Sequence, residues 1–563
     1  MKKSIVVIGG SAAGPKAASK ARRMDPNAEI TIIQKAENLS MASCGYPYFI
    51  GGTFDEEIKL ICTPTGVPRD PQFFFNVKDI NAIVSTEVTS IDPQEKKITA
   101  KHTKTGEVME KKYDQLVICT GSKPIVPGIP GIDLNGVTTL HTMEDAKFLK
   151  DIAKNRKSKH AVIIGGGLIG IEVAEALTLA GIKITVVERQ DQILSFLDLE
   201  MAKLVEKHLK AKGGNIYTGA SVEKITGKNG QVAGVELSDS TKIKCDLVVS
   251  SIGVRPNSDL AADAGLEIGE TGGIAVNEYM QTSDESIYAA GDCVEVKSLV
   301  TGKKMLWPMG DAANLQGRVI GQNLALGNKV EYKGVVSTGI CKVFDFVAGS
   351  TGISEGQAER DGIEVVSTIH AAPDRPGFMG ALPIVMKMIA EKNTGKIIGV
   401  QAVGMGDVSK RIAEAAVALH AGMTVDDLLT LDLPYAPPFS AAIDNFITCA
   451  HVLDNKIKGY MKGINPKEVK AKFDSGEDFC FLDVRGPDEL EEMRFGKGEL
   501  NLPLGALRAN TDKLPEDKNA EIIAFCKISL RGYEAQLYLE SIGYTNVKVL
   551  EGGIVAWPYD REK

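Results

Sequence analysis

Two stretches of this chain repeat one pattern. Ile5-Val6-Val7-Ile8 leads into Gly9-Gly10-Ser11-Ala12-Ala13-Gly14, then a helical stretch, then Ile30-Thr31-Ile32-Ile33. Ala161-Val162-Ile163-Ile164 leads into Gly165-Gly166-Gly167-Leu168-Ile169-Gly170, a helix, and Ile184-Thr185-Val186-Val187-Glu188. Each reads as strand, glycine turn, helix, strand. The strands show no polar alternation, as strands covered on both faces of a parallel sheet should not. A glycine turn lets the backbone approach a pyrophosphate, whose charge sits at the positive end of the following helix. One such motif is a weak signal; two, each after a strand and opening a helix, point to an α/β chain with two dinucleotide-binding units.

Other parts attach to these units. Asp114 to Gly121 and Ser286 to Asp292 are further apolar strands ending in small residues. At 563 residues the chain is too long for one core. Five segments are expected: 1–150, 151–255, 256–330 returning to the first unit, 331–450 of mixed strands and helices, and a compact unit at 462–563. The polar run Asp454 to Gly459 suits a linker before the last. A helix is expected around Arg411 to His420, and a strand at Lys396 to Val400.

Composition excludes several classes. With 44% hydrophobic and 25% charged residues the chain is a folded globular one. A net charge of -8 and no long basic run argue against nucleic acid. No apolar run approaches the ~20 residues that span a bilayer, so no membrane association is expected. The apolar start is broken by Gly9-Gly10 too early for a signal peptide, which predicts a cytoplasmic protein. Nine cysteines lie singly with no Cys-x-x-Cys pair, so neither a metal site nor a dithiol motif is suggested.

The acid closing the second unit's second strand, Glu188, stands where a ribose diol is read, and its charge disfavours a 2′-phosphate. NADH is therefore expected over NADPH, although the adjacent Arg189 could accept that phosphate. The first unit has Ser11 for the middle glycine and Gln34 for the acid. Asp292, after a buried strand, is well placed to bind a polar cofactor chain.

In order and content these motifs resemble the pyridine nucleotide–disulfide oxidoreductases, over roughly residues 1–450. The resemblance implies FAD on Gly9, Ser11, Ala12, Ala13, Gly14, Gln34, Lys35, Ser43, Thr120, Gly121, Asp292 and Ala312. It implies NADH on Gly165, Gly167, Leu168, Ile169, Gly170 and Glu188. Residues 1–150 and 256–330 would then be the FAD-binding domain, 151–255 the NAD-binding domain, and 331–450 the dimerisation domain of a homodimer. Trp307 to Asn314 leads into a helix whose positive end would face the flavin.

Ser40-Met41-Ala42-Ser43-Cys44-Gly45-Tyr46-Pro47-Tyr48 resembles the single-cysteine branch of that family. In the two-cysteine branch a partner thiol lies five positions on; here that residue is Phe49. Cys44 would therefore cycle with sulfur or oxygen from a substrate. Leu433 to Ser440 resembles the stretch that carries a tyrosine to the partner's active site, making Tyr435 either a proton donor or a packed interface aromatic. Coenzyme A is a further expected ligand, with Arg22, Arg23, Ser40 and Ser43 as its contacts; the two arginines could equally be solvated helix residues. Coenzyme A-disulfide reductases carry a tyrosine that Arg375 to Gly380 lacks, which counts against that disulfide itself.

Phe481-Leu482-Asp483-Val484-Arg485, Asn501-Leu502-Pro503-Leu504 and Gly552-Gly553-Ile554-Val555-Ala556-Trp557 resemble a rhodanese domain over about 462–563. Ile522 to Phe525 would be the strand that delivers Cys526, with the active loop at Cys526 to Arg531 and a helix from about Gly532. Backbone N–H groups with Lys527 and Arg531 would lower the thiol pKa and cradle a persulfide anion. Ser529 stands where glycine is common in such loops. The expected activity is NADH-dependent, FAD-mediated reduction of persulfides, polysulfides or thiol disulfides at Cys44, with sulfur transfer at Cys526. Two other readings stand beside it: an NADH oxidase or peroxidase cycling Cys44 through sulfenic acid, and a non-catalytic sulfur or redox sensor.

Overall fold

The computed structural model describes residues 2–561 and divides into two compact bodies. The first runs up to Val187 and resumes over Ser221–Val335; the second holds Glu188–Ala220 and everything from Val336 onward.

The first body contains the repeated pattern. Strand Ser4–Ile8 lies between parallel strands Glu29–Ile33 and Gln115–Ile118, and Ile287–Ala289 adds beyond the latter. The chain after residue 250 thus rejoins the sheet begun at residue 4. The second unit repeats this layout, with His160–Ile164 between Lys183–Glu188 and Leu247–Ser250. Both turns begin with a glycine in the left-handed region, Gly9 at φ +102° and Gly165 at φ +104°. A Cβ on Gly9 would lie 2.0 Å from the Cys119 carbonyl oxygen, and one on Gly165 2.5 Å from that of Ser251. A side chain is excluded at both by backbone conformation and by space. Gly9 N–H donates to Ile33 O (2.8 Å) and Gly165 N–H to Val187 O (2.9 Å), which locks each turn to its second strand.

In the second body a five-stranded antiparallel sheet is ordered Gly339–Val343, Phe346–Gly352, Ile397–Gly404, Pro383–Glu391, Val365–Pro373. Helix Val408–Ala421 packs on it. Lys387, fully buried, donates to Glu200 and to Glu355 (both 2.5 Å) and lies 3.0 Å from Asp198, so its charge is met several times over. The C-terminal unit is a parallel sheet ordered 463–464, 547–550, 522–525, 480–483, 500–501, with helix Leu530–Ser541 against it. An aromatic cluster of Phe473, Phe481, Phe495, Phe525 and Trp557 fills one of its faces.

The polar run Asp454 to Gly459 is not an open linker. Residues 454–457 are the last turn of helix Asn445–Ile457, which buries Phe446, Cys449 and Leu453. Lys458 reaches back to Asp454 at 2.8 Å. Lys456 pairs with the buried Glu551 at 2.5 Å, so this polar helix end is packed rather than free, and Gly459 at φ +74° stops it.

Candidate functional site: two cysteines, each at the start of a helix

Cys44 lies in a single 3-10 turn, Ser43–Gly45, continued by the short helix Tyr46–Ile50. The residue as a whole is exposed. The Sγ stands 3.8 Å from where a Cβ on Gly310 would be, at the start of helix Gly310–Leu326. That helix is seated by close packing on helix Ala13–Met24: a Cβ on Gly317 would fall 2.4 Å from Ala13 O. The thiol therefore faces the N-terminal turn of a long helix, where an anion is favoured. Side chains act in the opposite sense. Burial first, then Glu172, Asp292 and Asp311, push the Cys44 pKa up. Glu172 itself is pushed up to about 7, first by burial and then by Glu175, with Tyr48 hydrogen-bonding in opposition.

The residues expected to hold FAD gather around this point. Helix Ala13–Met24 begins after Ala12, whose methyl cannot cap, so its first N–H groups are left for a ligand. Asp292 is pushed up by burial and accepts one hydrogen bond, from Ser122 Oγ at 3.0 Å. Gly291 N–H donates to Gln316 at 2.7 Å, tying that turn to the helix beside Cys44. Thr120 bonds Asn257 in both directions, through its hydroxyl (2.6 Å) and its carbonyl (2.9 Å), beside Gly121 at φ +69°. Ala312 lies buried in the first turn of the same helix, and Ser43 is exposed next to Cys44. Uncapped helix starts with a carboxylate poised at one end fit a dinucleotide's phosphates and sugar.

Several expected contacts are engaged within the chain. Gln34 Oε1 accepts Gly10 N–H (2.8 Å) and its Nε2 donates to Asn38 O, so the side chain holds the glycine turn. Lys35 pairs with Glu87 at 2.8 Å. Arg22 donates to Pro26 O and Asp79 O and lies 3.2 Å from the Asp79 carboxylate, so it ties its helix to neighbouring loops, whereas Arg23 is exposed. Ser40 is buried with φ +51°, its N–H on Gly10 O.

At the second dinucleotide turn, helix Leu168–Leu179 starts after Gly167, where an added Cβ would meet nothing within 4 Å. Gly170 is buried and Ile169 exposed beside it. Glu188 is half-buried at its strand's end, with Oε1 accepting Gln190 N–H (2.8 Å), while Arg189 is exposed. Tyr435 and its neighbours Phe439 and Ile443 are exposed, as is Phe378. Arg375 bonds Pro438 O (2.9 Å), which ties the segment that carries Phe378 to the one that carries Phe439.

Cys526 ends strand Ile522–Phe525 and is 1% exposed, at the floor of its loop. Gly553 and Ile554 back the loop: Ile554 N–H donates to Cys526 O (3.0 Å), and a Cβ on Gly553 would sit 2.4 Å from that oxygen. Helix Leu530–Ser541 begins two residues earlier than expected, so Arg531 stands on its first turn. Ser529 adopts φ +88°, a glycine-like conformation, and its Oγ anchors it on Leu550 O at 3.1 Å. The expected excess of positive charge is not there. Arg531 is held in a two-point ion pair by Glu489 (2.6 and 2.8 Å), and Lys527 lies 3.7 Å from Glu492.

Glu172, Ser122, Gln316 and Glu489 were not singled out from sequence. Glu172 alone had a local signal, an acid two residues after the glycine turn.

The chain is similar to known proteins over nearly its whole length. Residues 3–312 match the model for the pyridine nucleotide-disulphide oxidoreductases, 338–446 that family's dimerisation domain, and 465–559 a rhodanese-like domain. The NAD(P)H coenzyme A polysulfide/persulfide reductase of Pyrococcus horikoshii is 36% identical over 456 residues, 80% of this chain and 99% of that protein. The solved NAD-dependent persulfide reductase of A. fulgidus superposes with a TM-score of 0.94 at 43% identity, over 98% of this chain and 100% of that one. The reduced CoADR-RHD protein of Bacillus anthracis gives 0.91 at 35% identity, over 99% and 98%. The glycine turns, the lone Cys44 beside a helix start and the matched sequence together place the chain in the pyridine nucleotide-disulphide oxidoreductases, a family that works with FAD and NAD(P)H, here carrying a C-terminal rhodanese-like domain.

Proposed function

We propose that this protein is an NADH-dependent reductase of persulfides, polysulfides or thiol disulfides, with Cys44 as its sulfur-handling group and Cys526 as a sulfurtransferase cysteine. The single observation that carries the reading is Cys44, on an exposed turn and facing the helix start at Gly310, with Phe49 rather than a second thiol at the fifth position on. A lone thiol there forms no disulfide of its own, so its partner sulfur arrives with the substrate.

In this reading FAD occupies the turn from Gly9 to Gly14 with Ser43, Thr120, Gly121, Asp292 and Ala312, while Gln34 shapes the turn. NADH occupies Gly165 to Gly170 with Glu188. FAD held there would supply two-electron chemistry between a nicotinamide and the sulfur on Cys44. The chain's own part is as follows. The helix start at Gly310 stabilises a thiolate or persulfide anion on Cys44. Cys44 attacks the outer sulfur of R–S–SH, forming Cys44–S–SH and releasing R–S⁻. Glu172, poised at about 7, is an acid able to hold the proton that a departing sulfide needs. Arg23, Ser40 and Ser43 remain contacts for a coenzyme A carrier, with Arg22 as a structural support. The exposed apolar surface of Phe378, Tyr435, Phe439 and Ile443 supports a homodimer formed through 331–450, in which Tyr435 donates a proton to a leaving thiolate. The NADH oxidase reading leaves Cys526 without a task, so we prefer sulfur chemistry.

The test is Cys44→Ser. Flavin bleaching by NADH should persist while NADH-driven reduction of a small persulfide falls to background. Retained persulfide reduction would place the chemistry elsewhere.

A further inference from the structure

We propose that Glu489 selects the sulfur donor of the Cys526 loop: by neutralising Arg531 it makes the loop an acceptor for persulfides, whose leaving group is a thiolate, and a poor one for thiosulfate. This rests on the reading of Cys526 as a sulfur acceptor and names the substrate class of that site.

The loop's cations are two, Lys527 and Arg531, and each has a carboxylate facing it. Arg531 Nη1 and Nη2 donate to Glu489 Oε2 and Oε1 at 2.6 and 2.8 Å, and Lys527 lies 3.7 Å from Glu492. The four side chains sum to no net charge. Glu489 is fixed from behind. Gly486 N–H donates to its Oε2 at 3.2 Å, and Arg485, buried and paired with Asp483, donates to its backbone oxygen at 3.3 Å. Its carboxyl is held down at about 2, first by the Arg531 hydrogen bond, so the pair stays intact throughout the working pH range. Arg531 also faces the Cys526 thiol, so whatever cancels its charge is felt at the reacting sulfur.

The two donor reactions differ in the charge they bring to that point. With an alkyl persulfide, Cys526–S⁻ attacks the outer sulfur of R–S–SH. One S–S bond forms as Cys526–S–SH, the old one breaks, and R–S⁻ leaves; the reacting sulfurs carry one negative charge throughout. With thiosulfate, Cys526–S⁻ attacks the sulfane sulfur of S–SO₃²⁻, giving Cys526–S–S⁻ and SO₃²⁻. Three negative charges then meet in one loop. Backbone N–H groups suit the first case, but the second needs uncancelled cations.

The experiment is single-turnover loading of Cys526 in the full-length protein, read as the persulfide adduct by intact and peptide mass spectrometry. Glutathione persulfide and thiosulfate serve as donors, and Cys526→Ser as the blank. The wild-type protein should load from the persulfide at least about tenfold faster. Glu489→Gln should raise thiosulfate loading about tenfold and leave persulfide loading within about threefold. An unchanged donor ratio in Glu489→Gln, or equal wild-type rates from the two donors, overturns the assignment while leaving Cys526 an acceptor. Loading from neither donor in the wild type overturns both the acceptor reading and the assignment. If Glu489→Gln loads from neither, Glu489→Asp decides: its shorter side chain should move the ratio toward thiosulfate, and no movement overturns the role of Glu489.

Discussion

Cys44 and Gly310 face each other, so that a Cβ on Gly310 would stand 3.8 Å from the thiol sulfur, an ordinary contact that further carbons on that Cβ could close. Gly310→Ala should therefore be tolerated, with turnover within about threefold of wild type. Gly310→Val would set γ-carbons against the sulfur, and acceptor reduction should fall by about a hundredfold, as misplacing a reacting atom does. Flavin content and flavin reduction by NADH should not change. Equal turnover of the two variants would mean that sulfur does not react on this side of Cys44.

Glu172 is the first of the carboxylates that raise the Cys44 pKa, after burial. Glu172→Gln removes that charge and keeps the shape. Alkylation of Cys44 by iodoacetamide, followed against pH, should shift to lower pH in the variant. Persulfide turnover above pH 7 should also lose the dependence contributed by a group titrating at about 7. A Cys44 profile that stays put or moves up would remove Glu172 from the site.

These two partners of Cys44 differ in how far they could be read in advance. The glycine turns were legible because a φ near +100° and a carbonyl 2.0 Å from a would-be Cβ are demands a sequence can meet only with glycine. Cys44 and Cys526 were legible because their flanking residues are local. What stayed hidden depends on partners far apart in the chain. Ser122 meets Asp292 across 170 positions and Arg531 meets Glu489 across 42, and nothing local marks either pair. Charge was the most misleading signal: Lys527 and Arg531 read as an uncancelled positive loop until the acids opposite them were placed. The run at 454–459 misled for a related reason, because a helix end and a linker share the same polar composition.

As the proposed reader of the NADH ribose, Glu188 is fixed in place by the Gln190 N–H. A ribose hydroxyl donating to this carboxylate would add a charged hydrogen bond that contributes about 1.5–3 kcal/mol. Glu188→Ala should therefore lower kcat/KM for NADH by roughly tenfold to a hundredfold, with Arg189 left to improve NADPH in comparison. Steady-state kinetics with both nucleotides measures the ratio. A wild-type preference for NADPH, or an unaltered ratio in the variant, would assign the choice to Arg189.

His370 gives the second body a pH dependence with a definite sign. It sits in strand Val365–Pro373, buried, with Nε2 lacking a hydrogen-bond partner among the described residues, and burial lowers its pKa to about 4. In the unfolded chain a histidine takes its proton near 6.5. Between those values the unfolded state binds the proton and the folded state does not, so stability is full above pH 6.5 and drains away as pH falls toward 4. At pH 4.5 the difference is roughly 2–3 kcal/mol. Carboxylates titrate over the same range, so the comparison must be with a variant that keeps them all. His370→Leu retains an apolar side chain and removes the titrating ring. Urea unfolding at pH 7 and pH 4.5 should show the wild-type protein losing more stability than the variant on acidification. Parallel losses would mean that His370 is protonated in the folded state, with a partner that offsets the burial.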